Sequence, residues 1–328
     1  MNPVVEKILA GDVRSVAMLI RDLDENEKYV NEVLKELYPH TGQAYIIGVT
    51  GAPGTGKSTL VDKIISCLRQ SDKTVGVLAV DPTSHISGGA ILGDRIRMSR
   101  HSLDNGVFIR SLATRDTFGG LTRSTRGSID ILDAMGKDYI IVETVGVGQD
   151  EVDIAQNAHT TLVVVIPGMG DDIQAIKAGI LEIGDIFVVN KADKEGADIT
   201  MTELGQKISM DKQKHHKNGW LPLVLKTQAL QDIGIDDLME KIEEHRQWTL
   251  KNFKVLNLRK QKKRVESELF RMIKDSLIKK VVEKIQDTDE FEENVESVAS
   301  GEANIYSVCE AMVQKRISDL KDDKNRRI

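Results

Sequence analysis

Cysteine is scarce in this chain: Cys67 and Cys309 are the two present in 328 residues. They lack metal-ligand spacing and sit in helical patterns, so both are expected as buried thiols in a reducing compartment. Excess positive charge is also missing. The net charge is −6, which excludes a global field that attracts nucleic acid or an anionic membrane surface. No apolar run reaches transmembrane length. The opening "MNPVVEKILAGDVRS" has neither the apolar core of a signal peptide nor the arginine and serine enrichment of a transit peptide. These absences point to a cytoplasmic protein with no membrane and no nucleic acid among its partners.

What is present is an ordinary globular balance, 40% hydrophobic and 29% charged, enough to bury a real core. Residues 1–43 read as an N-terminal helical extension, with Gly11-Asp12 as a break and cap before "VRSVAMLI". Residues 44–248 alternate helical patterns with seven apolar runs: "AYIIGV", "TVGVLAV", "VFIRSL", "DYIIVET", "TTLVVVI", "DIFVVN" and "PLVLKT". Continuous apolar strands between helices predict an α/β fold with a mostly parallel sheet covered by helices on both faces. Residues 249–328 return to charged, strand-free helix, with apolar stripes such as Leu269, Ile273, Leu277 and Val281 that suit core or dimer positions.

The densest signal is "VTGAPGTGKSTL", residues 49–60. Gly51, Gly56, Lys57 and Ser58 match G-x-x-x-x-G-K-[ST], between a β-branched run and the helical pattern of Leu60, Val61, Ile64, Ile65 and Leu68. That strand, loop and helix context marks a P-loop rather than a plain glycine-rich turn. Backbone N–H groups from Gly51, Ala52, Pro53, Gly54, Thr55, Gly56 and on to Thr59, with proline supplying none, would wrap a polyphosphate at the positive end of a helix. Lys57 would reach the β/γ-phosphates and Ser58 would ligate Mg²⁺.

"VVNKAD", residues 188–193, ends the sixth apolar run with N-K-x-D. A carboxylate at Asp193 can accept from guanine N1–H and the 2-amino group. Adenine lacks both donors, so ATP would leave the carboxylate unpaired at about 1–3 kcal/mol per lost bond. Asn190 would brace the loop and contact the base, and the Lys191 stem would cover the ring. "KTQA", 226–229, ends the seventh run, where GTPases usually set a backbone N–H against guanine O6, and Ala229 would be that donor. For the metal, Asp81 in "AVDPTS", Asp94 in "GGAILGDRIRM" and Glu143 in "VETVGVGQD" could converge with Ser58. Asp81 is the candidate to orient the attacking water, and Gly146 would let the backbone approach the γ-phosphate.

Together with "TGQAYIIGVTGAPGTGKSTL", "FIRSLATRDTFGGLT" and "IPGMGDDIQAIKAGILEI", these segments resemble the MeaB/ArgK family, the GTPases associated with methylmalonyl-CoA mutase that include human MMAA. The likeness runs from about Gly11 to about residue 248. It implies a SIMIBI-class P-loop domain, a homodimer, and slow hydrolysis of GTP to GDP with Mg²⁺. It also implies a metallochaperone role: admitting adenosylcobalamin to an acyl-CoA mutase and protecting that enzyme. The cobalamin belongs to the partner. Carried over by position, Lys57 and Ser58 match the phosphate and Mg²⁺ residues, and Asp81, Asp94 and Glu143 the acidic residues around the metal; Lys57 and Asp81 are the catalytic candidates. Asn190 and Asp193 take the base-reading places, while Asp171, Gln174 and Lys177 match a segment coupling nucleotide state to the partner. Asp116, Asp150 and Gln228 depart from the family, which commonly has glycine at the first and serine at the other two.

Other signals are weaker. The paired histidines of "KQKHHKNGW" would suit nickel insertion, but seven scattered histidines argue for a solvated loop. "RKQKKR", 259–264, lacks interleaved aromatics and opens a charged helix. Arg115, Arg123 and Arg126 are read as salt-bridging helix surface rather than as arginine fingers. A protein kinase is the rival from another class, and no phosphoacceptor motif accompanies it.

Overall fold

Each of the seven apolar runs becomes a strand of one sheet. The computed structural model describes all residues except 24–26, 83–97, 115–122, 145–153, 155–156, 169–177, 211–218, 253–264, ten positions between 267 and 287, and 326–328. The strands are β1 (Tyr45–Thr50), β2 (Val75–Pro82), β3 (Val107–Thr114), β4 (Tyr139–Thr144), β5 (Thr160–Val165), β6 (Ile186–Val189) and β7 (Leu223–Lys226). They lie in the order β3-β2-β4-β1-β5-β6-β7, and every neighbouring pair is parallel. The expected covered parallel sheet is what forms.

The side chains of one strand divide between two cores. Ile140 and Val142 of β4 enter one apolar cluster, and Tyr139 and Ile141 enter the other. This period of two with both faces buried is why the strands read as unbroken apolar runs. Among the described residues of 1–254 the helices are α1 (Pro3–Leu9), α2 (Val13–Asp22), α3 (Glu27–Leu37), α4 (Lys57–Gln70), α5 (Arg123–Ala134), α6 (Ala178–Ile183), α7 (Ala197–Met210) and α8 (Ile235–Lys251). On one face, α1–α3 share a core with α5 and with Leu78 and Val80 of β2. Full burial of Ile8, Leu19 and Leu37 there stabilises by about 1.5–3 kcal/mol each. On the other face, Leu60, Ile64 and Leu68 of α4 and Leu238 and Ile242 of α8 cover β1, β4 and β5.

Local chemistry sets the entry to these elements. Asp12 caps α2 by accepting from the Ser15 N–H at 2.7 Å, after Gly11 turns at φ 82°. Buried Asp133 of α5 accepts from the N–H groups of Gly42, Gln43 and Ala44 at 2.6, 3.1 and 2.9 Å. That clamp fixes the chain as it leaves α3 and enters β1, and so fixes where the phosphate loop begins.

Residues 1–254 form one compact unit and residues 255–328 a second. In the second, α9 (Asp289–Ala299) is capped by Thr288, and Glu290 pairs with Lys315 of α10 (Ile305–Asn325) at 2.7 Å. The cysteines depart from expectation: Cys67 of α4 is half-buried and Cys309 of α10 is exposed. A helical pattern marks an apolar position without saying that a neighbour covers it. No described helix is long and apolar enough to cross a membrane.

Candidate nucleotide-binding site

β1 is flanked by β4 and β5, so the chain leaves it at the point where the sheet's connections diverge. In open α/β sheets ligands bind there, beyond the carboxyl ends of the strands. Residues 51–56 leave β1 and run into α4. Gly51 stands at φ 138°, and a Cβ on it would lie 2.1 Å from the Val164 carbonyl oxygen of β5. Gly56, at φ 93°, caps α4, and its Cβ would lie 2.4 Å from Asn190 Nδ2. Both glycines are therefore required, one for approach to a neighbouring strand and one for approach to the loop that carries Asn190.

Lys57 is 6% exposed, and its Nζ donates to the carbonyls of Gly51 at 2.7 Å and Ala52 at 3.0 Å. The ammonium thus sits over the phosphate loop at the positive end of α4, which concentrates positive potential at one point. Beside it, the Ser58 hydroxyl donates to Glu143 Oε1 at 2.7 Å, with the two residues 5% and 4% exposed. The register Val49↔Glu143 between β1 and β4 brings this about, because both strands end at the same level. A buried hydroxyl and a carboxylate next to a phosphate loop form the all-oxygen donor set that Mg²⁺ takes, so the residues fit the ion. When bound, Mg²⁺ neutralises phosphate charge.

Asp81 lies at the carboxyl end of β2, two residues beyond Ala79, the register partner of Glu143. Its backbone therefore ends on the same rim. Asp94, Gly146, Asp171, Gln174 and Lys177 lie outside the described residues.

The residues expected to read the base form a second cluster joined to the first. Asn190 is 2% exposed, and its Nδ2 donates to the Thr55 carbonyl at 2.9 Å. Its Oδ1 accepts from Thr227 Oγ1 and from the Ala229 N–H, both at 3.1 Å. One amide therefore ties the phosphate loop to the end of β7. The Ala229 N–H, expected on guanine O6, is engaged with Asn190 here, so a base contact must share that donor. Lys191 stands at φ 55°, and its Nζ donates to the Gly54 carbonyl at 2.7 Å, which lays its stem along the phosphate loop. Asp193 is exposed, and among the described residues no hydrogen bond or ion pair engages its carboxylate.

Sequence reasoning missed a knot on the flank of the P-loop helix. Asp62 lies one turn beyond Ser58 and accepts from Arg100 Nε at 2.7 Å, while Arg100 Nη2 also reaches its carboxylate. His101 Nε2 lies 3.1 Å from Asp62 Oδ1, and Met98 is buried at 1% in the core below. The partners stand 38 and 39 residues apart, so no helical spacing could reveal them. Asp62→Ala should lower stability by about 2 kcal/mol, the loss of charge-assisted bonds to Arg100. A thermal melt checks this, and an unchanged midpoint would contradict it. Arg126 of α5 donates to the side-chain oxygen of Asn157.

The chain matches the family profile described as "Methylmalonyl Co-A mutase-associated GTPase MeaB" over residues 14–286. It is 47% identical to a Pyrococcus horikoshii protein named as a GTPase, over 96% of this chain and 98% of that one. The mouse mitochondrial methylmalonic aciduria type A homolog is 35% identical over 60% of this chain and 48% of its own length. Among solved structures, a LAO/AO transport system kinase aligns with TM-score 0.65 at 21% identity, covering 95% of each chain. At that identity the likeness is one of fold.

Proposed function

The chain belongs to the MeaB family of GTPases, and from that footing we propose that it is a Mg²⁺-dependent metallochaperone. Its task would be to gate delivery of adenosylcobalamin to an acyl-CoA mutase and to protect that enzyme. Hydrolysis of GTP to GDP and phosphate comes with membership. The observation that carries the nucleotide half is the Asn190 amide, which binds Thr55 of the phosphate loop and Ala229 beyond β7 at once. This amide would join the phosphate pocket to the expected base pocket, where the neighbouring N-K-x-D aspartate would supply guanine selectivity.

In this proposal Lys57 stabilises the charge that builds on the γ-phosphate, and Ser58 with Glu143 holds the metal. Asp81 and Asp94 would add carboxylates for the metal, and Asp81 would orient the attacking water. Catalysis is then mostly positioning and charge neutralisation. The mutase half rests on the family's stated association with methylmalonyl-CoA mutase. The working form is a homodimer built through residues 249–328.

Asp171, Gln174 and Lys177 would carry nucleotide state to the partner, biasing a segment between two arrangements. Purified mutase should therefore accelerate GTP hydrolysis, and Lys177→Ala should abolish the acceleration while leaving GTP affinity nearly unchanged. Stopped-flow phosphate release with and without mutase measures both quantities. Undiminished stimulation in the variant would remove the segment from the coupling route. Label from γ-labelled GTP should end as free phosphate, and a labelled protein would instead favour a kinase.

A further inference from the structure

Two consecutive residues of the P-loop helix each hold a loop. Asp62 grips the turn at 99–101. Lys63 grips a second loop, with its Nζ 2.7 Å from Asp232 Oδ1 and 2.8 Å from Oδ2. Successive helix side chains point about 100° apart, so α4 can serve two flanks from adjacent positions.

Asp232 belongs to the loop that follows β7. Gln228 N donates to Ile233 O at 2.9 Å, and Ile233 N returns to Gln228 O at 3.3 Å, closing the loop as a single antiparallel bridge. Inside it, the turn Ala229–Gln231 buries Ala229 in the core that contains α4. Asp232 stands at φ 60°, where aspartate is tolerated better than most residues. Gly234 ends the loop at φ 75°, with a Cβ position only 2.4 Å from the Lys226 carbonyl. A loop this short and this closed moves as one piece, so holding Asp232 holds the Ala229 N–H three residues away.

We infer that Lys63 and Asp232 are a positioning pair for purine recognition. They seat the loop of residues 228–234 against α4 so that the Ala229 donor meets a 6-oxo group, and thereby set selectivity for that oxygen. The inference rests on the proposed guanine site. The side chain of Lys63 is 15% exposed and that of Asp232 65% exposed, so the pair itself contributes little to global stability. Its effect is on loop geometry.

The test compares GTP with 6-thioguanosine triphosphate on the full-length protein. The analogue keeps the N1–H and 2-amino donors that Asp193 would accept, and replaces O6 with a larger, weaker acceptor. Wild type should prefer GTP. Lys63→Ala should lose about threefold in GTP affinity, the range of an exposed ion pair, with analogue affinity unchanged. Asp232→Asn, which keeps a residue tolerant of the left-handed backbone, should shift the ratio the same way. The double variant should lose no more than Lys63→Ala alone, and Lys63→Arg should restore the preference. The turnover of bound GTP and the melting midpoint should stay at wild-type values. A folded Lys63→Ala protein with the wild-type ratio would overturn the positioning role. A wild-type ratio near one would overturn the base reading by this loop, and the inference with it.

Discussion

Lys57→Ala should fold normally and hydrolyse GTP about a hundredfold to a thousandfold more slowly, the loss expected when one fixed charge-stabilising group is removed from a transition state. The ammonium lies over the phosphate loop, bonded to the carbonyls of Gly51 and Ala52. Nothing else described on the loop carries positive charge at that point except the distal Lys191, whose Nζ reaches Gly54. Folding should survive because α4 is held by Leu60, Ile64 and Leu68 in the core rather than by Lys57. Single-turnover phosphate release and a far-ultraviolet dichroism spectrum check the two halves. A folded variant with wild-type turnover would refute the P-loop assignment.

The second large effect should come from Asp193. Its carboxylate is exposed on the loop between β6 and α7, where Ala192 N donates to the Thr227 carbonyl at 3.0 Å and holds the loop beside the end of β7. Asp193→Asn replaces an ionised acceptor with an amide that also donates. Guanine then loses two charge-assisted bonds worth about 1.5–3 kcal/mol each, so GTP affinity should fall at least about a hundredfold. Xanthosine triphosphate carries a 2-oxo group that the new amide can meet, and it should become the preferred nucleotide. Competition binding measures the switch. Retention of GTP selectivity would show that the base is read elsewhere.

Much of this arrangement was legible before the fold. Runs such as "DYIIVET" announce strands because a parallel sheet buried on both faces needs apolar residues without interruption. The phosphate loop was legible because its glycines answer two close approaches, to Val164 and to Asn190. The bracing role of Asn190 followed from its place at a strand end. The knots on α4 were not legible. Asp62 meets Arg100 across 38 residues and Lys63 meets Asp232 across 169, and such pairs are created by topology, with no local spacing to betray them. Amphipathic periodicity in residues 1–43 likewise marks an apolar stripe without naming its cover, which proves to be α5 and β2. Cys309 fails for the same reason, since its exposure depends on what packs against α10.

Coupling between GTP and the mutase is the claim on which the proposed role stands, and reconstitution tests it most directly. Apo-mutase is mixed with adenosylcobalamin in the presence or absence of this chain, with GTP or with a non-hydrolysable analogue, and the acyl-CoA isomerisation activity gained is followed over time. The account predicts that the chain with GTP delivers active mutase, and that the analogue or Lys57→Ala stalls delivery. Equal gain of activity with GTP, with the analogue and without the chain would contradict it.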